Sequence, residues 1–195
     1  GRELIDSISS WWCVCHGHNP PKIVEAVREQ AGKLAQVMFA GFTHEPAIRL
    51  AEKLVRRLPE GLNKVFFADS GSVCVECAVK MAVQYQLAAG RRTRKRLATV
   101  LGGYHGDTAG AMALSDPGGM HEMFRGILPK HYFAPRPEIP FDGKWDSSDF
   151  APMKQLLEEK SRDIAAVIIE PVFQGAGGMR FYHPQYLREL RAECD

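Results

Sequence analysis

The run Ile164-Ala165-Ala166-Val167-Ile168-Ile169 carries no polar side chain at any position and stops abruptly at Glu170-Pro171. A strand with one wet face alternates polar and apolar residues, so an unbroken apolar run predicts a strand covered on both sides. Two shorter runs repeat the pattern: Lys64 to Ala68 before Asp69-Ser70-Gly71-Ser72, and Leu97 to Leu101 before Gly102-Gly103. Helical periodicities lie between them. Val73, Cys77 and Met81 share one stripe that ends near Gly90, and Phe150, Met153, Leu156 and Leu157 share another, opened by Ser147 or Ser148 as cap. Strands alternating with helices predict an α/β fold, a mostly parallel sheet with helices on both faces.

Upstream of residue 60 the reading is helical. Asn19 stands as a cap, Pro20-Pro21 fill the first turn, and Ile23, Val27, Ala31, Leu34 and Met38 run down one face to about Gly41. A second helix opens at Pro46, turns Ile48, Ala51, Leu54, Val55 and Leu58 inward, and closes at Pro59-Glu60-Gly61. Residues 116–147 are rich in Gly and Pro and predict a long excursion with little regular structure, a kind of loop that often carries function. Leu187, Leu190 and Cys194 mark a last helix without a terminator, while Gly1 to Asp6 reads as a strand or turn already under way, so the chain reads as an internal fragment.

Composition removes several function classes. With 195 residues, 45% of them hydrophobic, disorder and collagen-like repetition are excluded. Lys and Arg number 25 against 23 Asp and Glu, which gives no whole-molecule attraction for nucleic acid, and the basic run Arg91 to Arg96 reads as a solvated connector after a helix. No apolar run approaches the roughly 20 residues that span a bilayer, so no membrane association is expected and the location expected is cytoplasmic. Five cysteines, an odd number, point to reduced thiols. Cys13-Val-Cys15 and Cys74-Val-Glu-Cys77 offer the one non-enzymatic alternative, a metal or redox module, but Cys77 falls on an apolar stripe and buried small hydrophobes are the preferred reading. His16 and His18 lack a third ligand nearby, and no metal is expected.

Ligands of open α/β sheets bind beyond the carboxyl ends of the strands. Three such ends carry polar punctuation here. Ser70-Gly71-Ser72 opens a helix, where free backbone N–H groups, a glycine and a hydroxyl suit a phosphate, although an ordinary serine cap has the same spelling. Tyr104 and His105 sit in a Gly-flanked turn and offer a stacking surface for a planar heterocycle. Glu170 ends an apolar strand, where a carboxylate must be paired, solvated or functional.

Together, Ser9-Ser10-Trp11-Trp12, Met38-Phe39-Ala40-Gly41-Phe42-Thr43-His44, Ala68-Asp69-Ser70-Gly71-Ser72-Val73, Gly103-Tyr104-His105-Gly106-Asp107 and Ile168 through Met179 resemble the class III pyridoxal-phosphate aminotransferases of fold type I. Within that class the paired tryptophans resemble the 8-amino-7-oxononanoate aminotransferases of biotin biosynthesis, which take their amino group from S-adenosylmethionine. The resemblance implies pyridoxal 5'-phosphate as cofactor, with Gly71 and Ser72 on its phosphate, Tyr104 near its ring and the substrate, and Glu170 close by. It implies Trp11 and Trp12 as a substrate-pocket wall and a homodimer whose interface includes Met38 to His44.

By the same resemblance, residues 1–45 form an N-terminal segment serving pocket and interface, and residues 46–195 form part of the large cofactor domain. The family's chain is about twice as long. Its Schiff-base lysine and its ring-nitrogen aspartate fall beyond Asp195, so no catalytic residue is expected within these 195, and Lys64 and Lys80 do not match the lysine's position. Cys13-Val14-Cys15 departs from the family pattern. A class III enzyme acting on an ω-amino acid or a diamine is the alternative within enzymes.

Overall fold

The computed structural model describes residues 1–195, which divide into two compact units, Gly1–Phe66 and Phe67–Asp195. In the second unit, β1 (Arg96–Val100) is the central strand of a three-stranded sheet, flanked by β2 (Tyr132–Ala134) and β3 (Ile164–Val167) in the order β2-β1-β3. Both pairings are parallel, with Ala98 level with Tyr132 on one side and with Val167 on the other. Leu97, Ala98, Thr99 and Val100 are buried in succession, so both faces of β1 are covered, as the absence of alternation predicts.

Helix α4 (Gly71–Ala88) packs against β3, where Gln86 donates its side-chain amide to the carbonyl of Ala165. Helix α6 (Ala151–Lys160) lies against β2 and against α7 (Gln185–Cys194). Val100, Ala134, Phe150, Met153, Tyr182, Tyr186 and Leu190 make the core between them. Phe150 and Tyr182 both meet the Tyr186 ring edge-on, with centroids 5.2 and 5.8 Å away. The α/β architecture and its parallel sheet are therefore as the sequence implies.

Local departures each have a cause. The excursion over residues 116–147 contains β2, which its short apolar stretch Tyr132-Phe133-Ala134 conceals among prolines, and a 3-10 turn at Glu122–Phe124. Asp146, not a serine, caps the next turn: its carboxylate accepts from the Ser148 N–H at 2.9 Å ahead of α6. Beyond Val167 the chain leaves the sheet and forms a small antiparallel hairpin, β4 (Phe173–Gln174) with β5 (Arg180–Phe181).

The first unit holds two further helices, α2 (Pro21–Lys33) and α3 (Glu45–Val55). Asn19 does not cap α2. It adopts a φ of 53°, and Pro20 occupies the cap position without a side-chain bond. The helix ends at Lys33 and not near Gly41, because Leu34 turns extended and its carbonyl accepts from the Gln30 side chain at 2.9 Å. The expected strand at Lys64 to Ala68 does not form. A strand exists only through a ladder, and none of the three sheet strands pairs with this segment. Ala47 is the only buried apolar residue in this unit, while Ile48, Leu54 and Leu58 of the expected inward face are exposed.

Ser9 to Trp12 form a single turn, α1 (Ser9–Trp12), in which all four residues have positive φ, between 46° and 69°. Left-handed backbone costs about 1–2 kcal/mol per L-residue, so the turn needs an external clamp. Asp6 supplies one. Its carboxylate accepts from the Ser10 N–H at 3.0 Å, the Ser10 hydroxyl at 2.6 Å and the His18 ring at 2.9 Å, and these bonds, those of Ser10 first, pull its pKa down to about 2.

Candidate active site

The three loops singled out by the sequence meet in the second unit. Ser70 caps α4 by accepting the Val73 N–H at 3.2 Å, while the amides of Gly71 and Ser72 lie in the first turn, before any intrahelical acceptor is available to them. A Cβ on Gly71 would meet nothing within 4 Å, so no protein atom fills the space beside it. The Ser72 hydroxyl accepts the Asp107 N–H at 3.0 Å and keeps its own hydrogen to donate. Two amides, a hydroxyl and the positive end of an 18-residue helix together suit a phosphate dianion.

Glycine is required where the next loop passes this turn. A Cβ on Gly106 would fall 2.2 Å from Ser72 Oγ, and the φ of 125° is one that a side chain resists. That approach brings Tyr104 to the cradle. The Tyr104 hydroxyl donates to Asp107 Oδ2 at 2.8 Å, and its ring stacks on His121 with centroids 6.0 Å apart and planes 25° from parallel. His121, buried to 6% exposure, places Nε2 3.0 Å from the other Asp107 oxygen.

The bonds from Tyr104 and then His121 hold the Asp107 carboxyl below its usual range, while partial burial and the Asp107 bond raise the Tyr104 phenol. Tyr104 thus stays protonated with its hydrogen committed. Its oxygen is left as an acceptor, suited to an incoming N–H group.

Glu170 uses both carboxylate oxygens on main chain. Oε2 accepts the Tyr104 N–H at 3.1 Å and Oε1 the Gly175 N–H at 3.0 Å, while its carbonyl takes the Tyr182 hydroxyl. One side chain therefore ties the aromatic loop to the glycine-rich hairpin. Gln174, 1% exposed, strengthens the tie by donating to the carbonyl of Leu101 at 2.9 Å.

His105 does not join the stacking surface. Its ring folds back beneath Gly103 to within 3.3 Å of Thr99 Oγ1 on β1, and burial pulls its pKa down to about 4. The motif Gly103 to Asp107 assigns no role to Asp107, and His121 gives no sequence signal, being one polar residue in a Gly/Pro-rich excursion. A phenol three residues from a carboxylate was the available clue to the first; nothing local pointed to the second.

In the first unit, Trp11 and Trp12 are 84% and 59% exposed, so neither ring is core. The cysteines are not buried hydrophobes as expected: Cys13, Cys15, Cys74 and Cys194 are exposed and Cys77 is partly so. The stripe on α4 explains the error, since Met81 beside Cys77 is itself 46% exposed. No three metal-ligating side chains gather anywhere in the chain, and no helix is long and apolar enough to cross a membrane.

Comparison with known proteins gives this geometry a context. The chain is 47% identical over 195 residues to the adenosylmethionine-8-amino-7-oxononanoate aminotransferase of Buchnera aphidicola subsp. Acyrthosiphon pisum (strain APS), with 100% of this chain and 45% of that protein covered. It is 47% identical over 193 residues to the protein of the same name from Mycobacterium leprae (strain TN), covering 98% of this chain and 43% of that one. The chain thus spans about half the length of the curated relatives it matches.

Among solved structures, the adenosylmethionine-8-amino-7-oxononanoate aminotransferase of Methanocaldococcus jannaschii DSM 2661 superposes with a TM-score of 0.90 at 34% identity, over 100% of this chain and 43% of that one. An amine transaminase from an uncultivated Pseudomonas species, in its PLP-bound form, gives 0.83 at 31% identity, over 98% and 45%. The profile of aminotransferase class-III matches residues 1–195 throughout, and the chain belongs to that family.

Proposed function

We propose that this chain serves a pyridoxal-phosphate aminotransferase that moves an amino group from S-adenosylmethionine to 8-amino-7-oxononanoate, giving 7,8-diaminononanoate in biotin biosynthesis. The observation that carries the reading is Asp107, whose N–H holds the Ser72 hydroxyl while its carboxylate holds the Tyr104 hydroxyl, so one residue joins a phosphate cradle to an aromatic platform. The identity to relatives bearing that name supports the choice of substrates over an ω-amino acid or a diamine.

Pyridoxal phosphate, when bound, supplies the aldehyde and the electron sink through which nitrogen passes from donor amine to acceptor ketone. The chain's own residues bind and orient. Gly71 and Ser72 hold the phosphate, Tyr104 packs beside the ring and accepts from a substrate N–H, and Glu170 keeps the loop of Tyr104 in place. Trp11 and Trp12 form an aromatic wall of the substrate pocket. Residues 1–45 serve that pocket and the interface of a homodimer, residues 46–195 belong to the large cofactor domain, and the working enzyme is cytoplasmic. None of the lysines among these 195 residues matches the family's Schiff-base position, so the residues assigned here bind and orient the cofactor and do not themselves form its covalent link.

The test replaces the matching segment of a complete relative with this chain and assays the hybrid by mass spectrometry with S-adenosylmethionine, a diamine or an ω-amino acid as donor. Diaminononanoate formed only with S-adenosylmethionine is expected, and preference for another donor would overturn the substrate assignment. In the same hybrid, Ser72→Ala should weaken cofactor retention by about 1–3 kcal/mol, the loss of a charge-assisted hydrogen bond. Unchanged retention by equilibrium dialysis contradicts the cradle.

A further inference from the structure

His121 lies 17 residues beyond Tyr104 in sequence, at the cap position of the 3-10 turn Glu122–Phe124 between α5 (Ala109–Met112) and β2, yet it makes two contacts with the same small network. Its Nε2 faces Asp107 Oδ1 at 3.0 Å, and because a carboxylate can only accept, that nitrogen carries the proton. Its ring face meets the Tyr104 ring. Asp107 is otherwise exposed, with 70% of its side chain in water against 7% for His121. An exposed carboxylate on a loop samples several rotamers, and a hydroxyl bonded to it inherits that freedom. A buried imidazole on the second oxygen removes it.

We propose that His121 is a positioning residue for Tyr104, fixing the Asp107 carboxylate with Nε2 and the Tyr104 ring with its own face. The proposal rests on the reading of Tyr104 as the aromatic platform of the site and adds what sets its orientation. Fixing both ends of Tyr104 leaves the phenol oxygen with one free lone-pair direction, which selects where a substrate N–H can approach. The two contacts are separable by substitution: His121→Phe keeps the ring and loses the donor, whereas His121→Gln keeps an N–H at a similar reach and loses the ring.

The first measurement needs no cofactor. In the chain labelled with 13Cζ-tyrosine, the Tyr104 signal, identified by its loss in Tyr104→Phe, reports whether the phenol donates to a fixed carboxylate. His121→Phe should move it to the position of a solvated tyrosine, as Asp107→Ala is expected to do, while His121→Gln should hold it near wild type. An unmoved signal in His121→Phe overturns the proposal, as does an equal displacement in both variants, which is what loss of local packing gives.

In the hybrid enzyme, His121→Phe should lower kcat/KM about 10- to 100-fold with rescue by His121→Gln. It should cost less than about 3-fold in a Tyr104→Phe background, where the hydroxyl it positions is already gone. Equal losses in both backgrounds overturn the proposal. If the hybrid proves inactive, the proposed function fails while the Tyr104 signal still decides the role of His121.

Discussion

The two units contain similar apolar periodicities and bury them very differently. Residues 1–66 carry helices with apolar stripes on which Ala47 alone is buried, whereas every other buried apolar side chain belongs to residues 67–195. Periodicity in a sequence states which face of a helix avoids water, and that statement is silent about what covers the face. In the second unit the cover is within reach: α6 and α7 close over the sheet through Phe150, Met153 and Tyr186. In the first, Ile23 and Val27 on α2 and Ile48 and Leu54 on α3 keep from 38% to 62% of their surface in water. Such exposed apolar area is characteristic of interaction surfaces, consistent with the homodimer proposed above.

The contrast breaks if the second unit tolerates a cavity. Met153→Ala, at a site with no exposure, should cost about 2–5 kcal/mol in urea unfolding followed by far-ultraviolet circular dichroism. A loss below about 1 kcal/mol shows that this core is loose.

Acid should separate the units next. The His105 pKa falls from 6.5 free to about 4 folded, so the unfolded chain takes up the proton first. Stability is then full above about pH 6.5 and is lost as pH falls toward 4, by about 2 kcal/mol at pH 5. His105→Asn should flatten this slope; a slope that survives the substitution has another source. The Asp6 clamp behaves differently, since its pKa of about 2 lies below the free value of 3.8, and its contribution persists until pH falls through that lower window. Hydrogen exchange at Ser10 against pH reads it directly.

The smallest effect is expected for Val27→Ser, on a side chain 62% exposed. The unfolding free energy of the isolated chain should change by less than about 0.5 kcal/mol. A larger loss means that α2 is covered in solution.

How much the sequence reveals follows the same division. Unbroken apolar runs identify β1 and β3 because burial on both faces leaves no other composition, and Ser70 is a legible cap because its oxygen serves an amide three residues away. Lys64 to Ala68 has the same composition and forms no strand, since pairing is decided by what lies alongside. Neither serine caps α6, whose cap position falls on Phe150 without a side-chain bond, because the chain spends Ser147 and Ser148 in a 3-10 turn that Asp146 caps. In the site, Ser72 is readable as a helix-start residue and Tyr104 and Glu170 as residues just past strands, yet Glu170 serves two backbone amides rather than presenting a free carboxylate, and His121 comes from a loop whose return is set by tertiary structure.

Glu170 ties the loop of Tyr104 to the glycine-rich hairpin, and the main chains of the two also pass in direct contact, which limits engineering. A Cβ on Gly177 would overlap the carbonyl oxygen of Gly102 at 1.8 Å, so the two main chains pass with no room for any side chain at that point. Neither loop can be exchanged alone for one from a distant homologue unless the donor keeps the same crossing, because a wider turn on one side displaces the other together with Tyr104. Recombination libraries that cut between residues 102 and 177 should therefore yield soluble, poorly functioning chimeras, and those that inherit both loops from a single parent should keep the site intact.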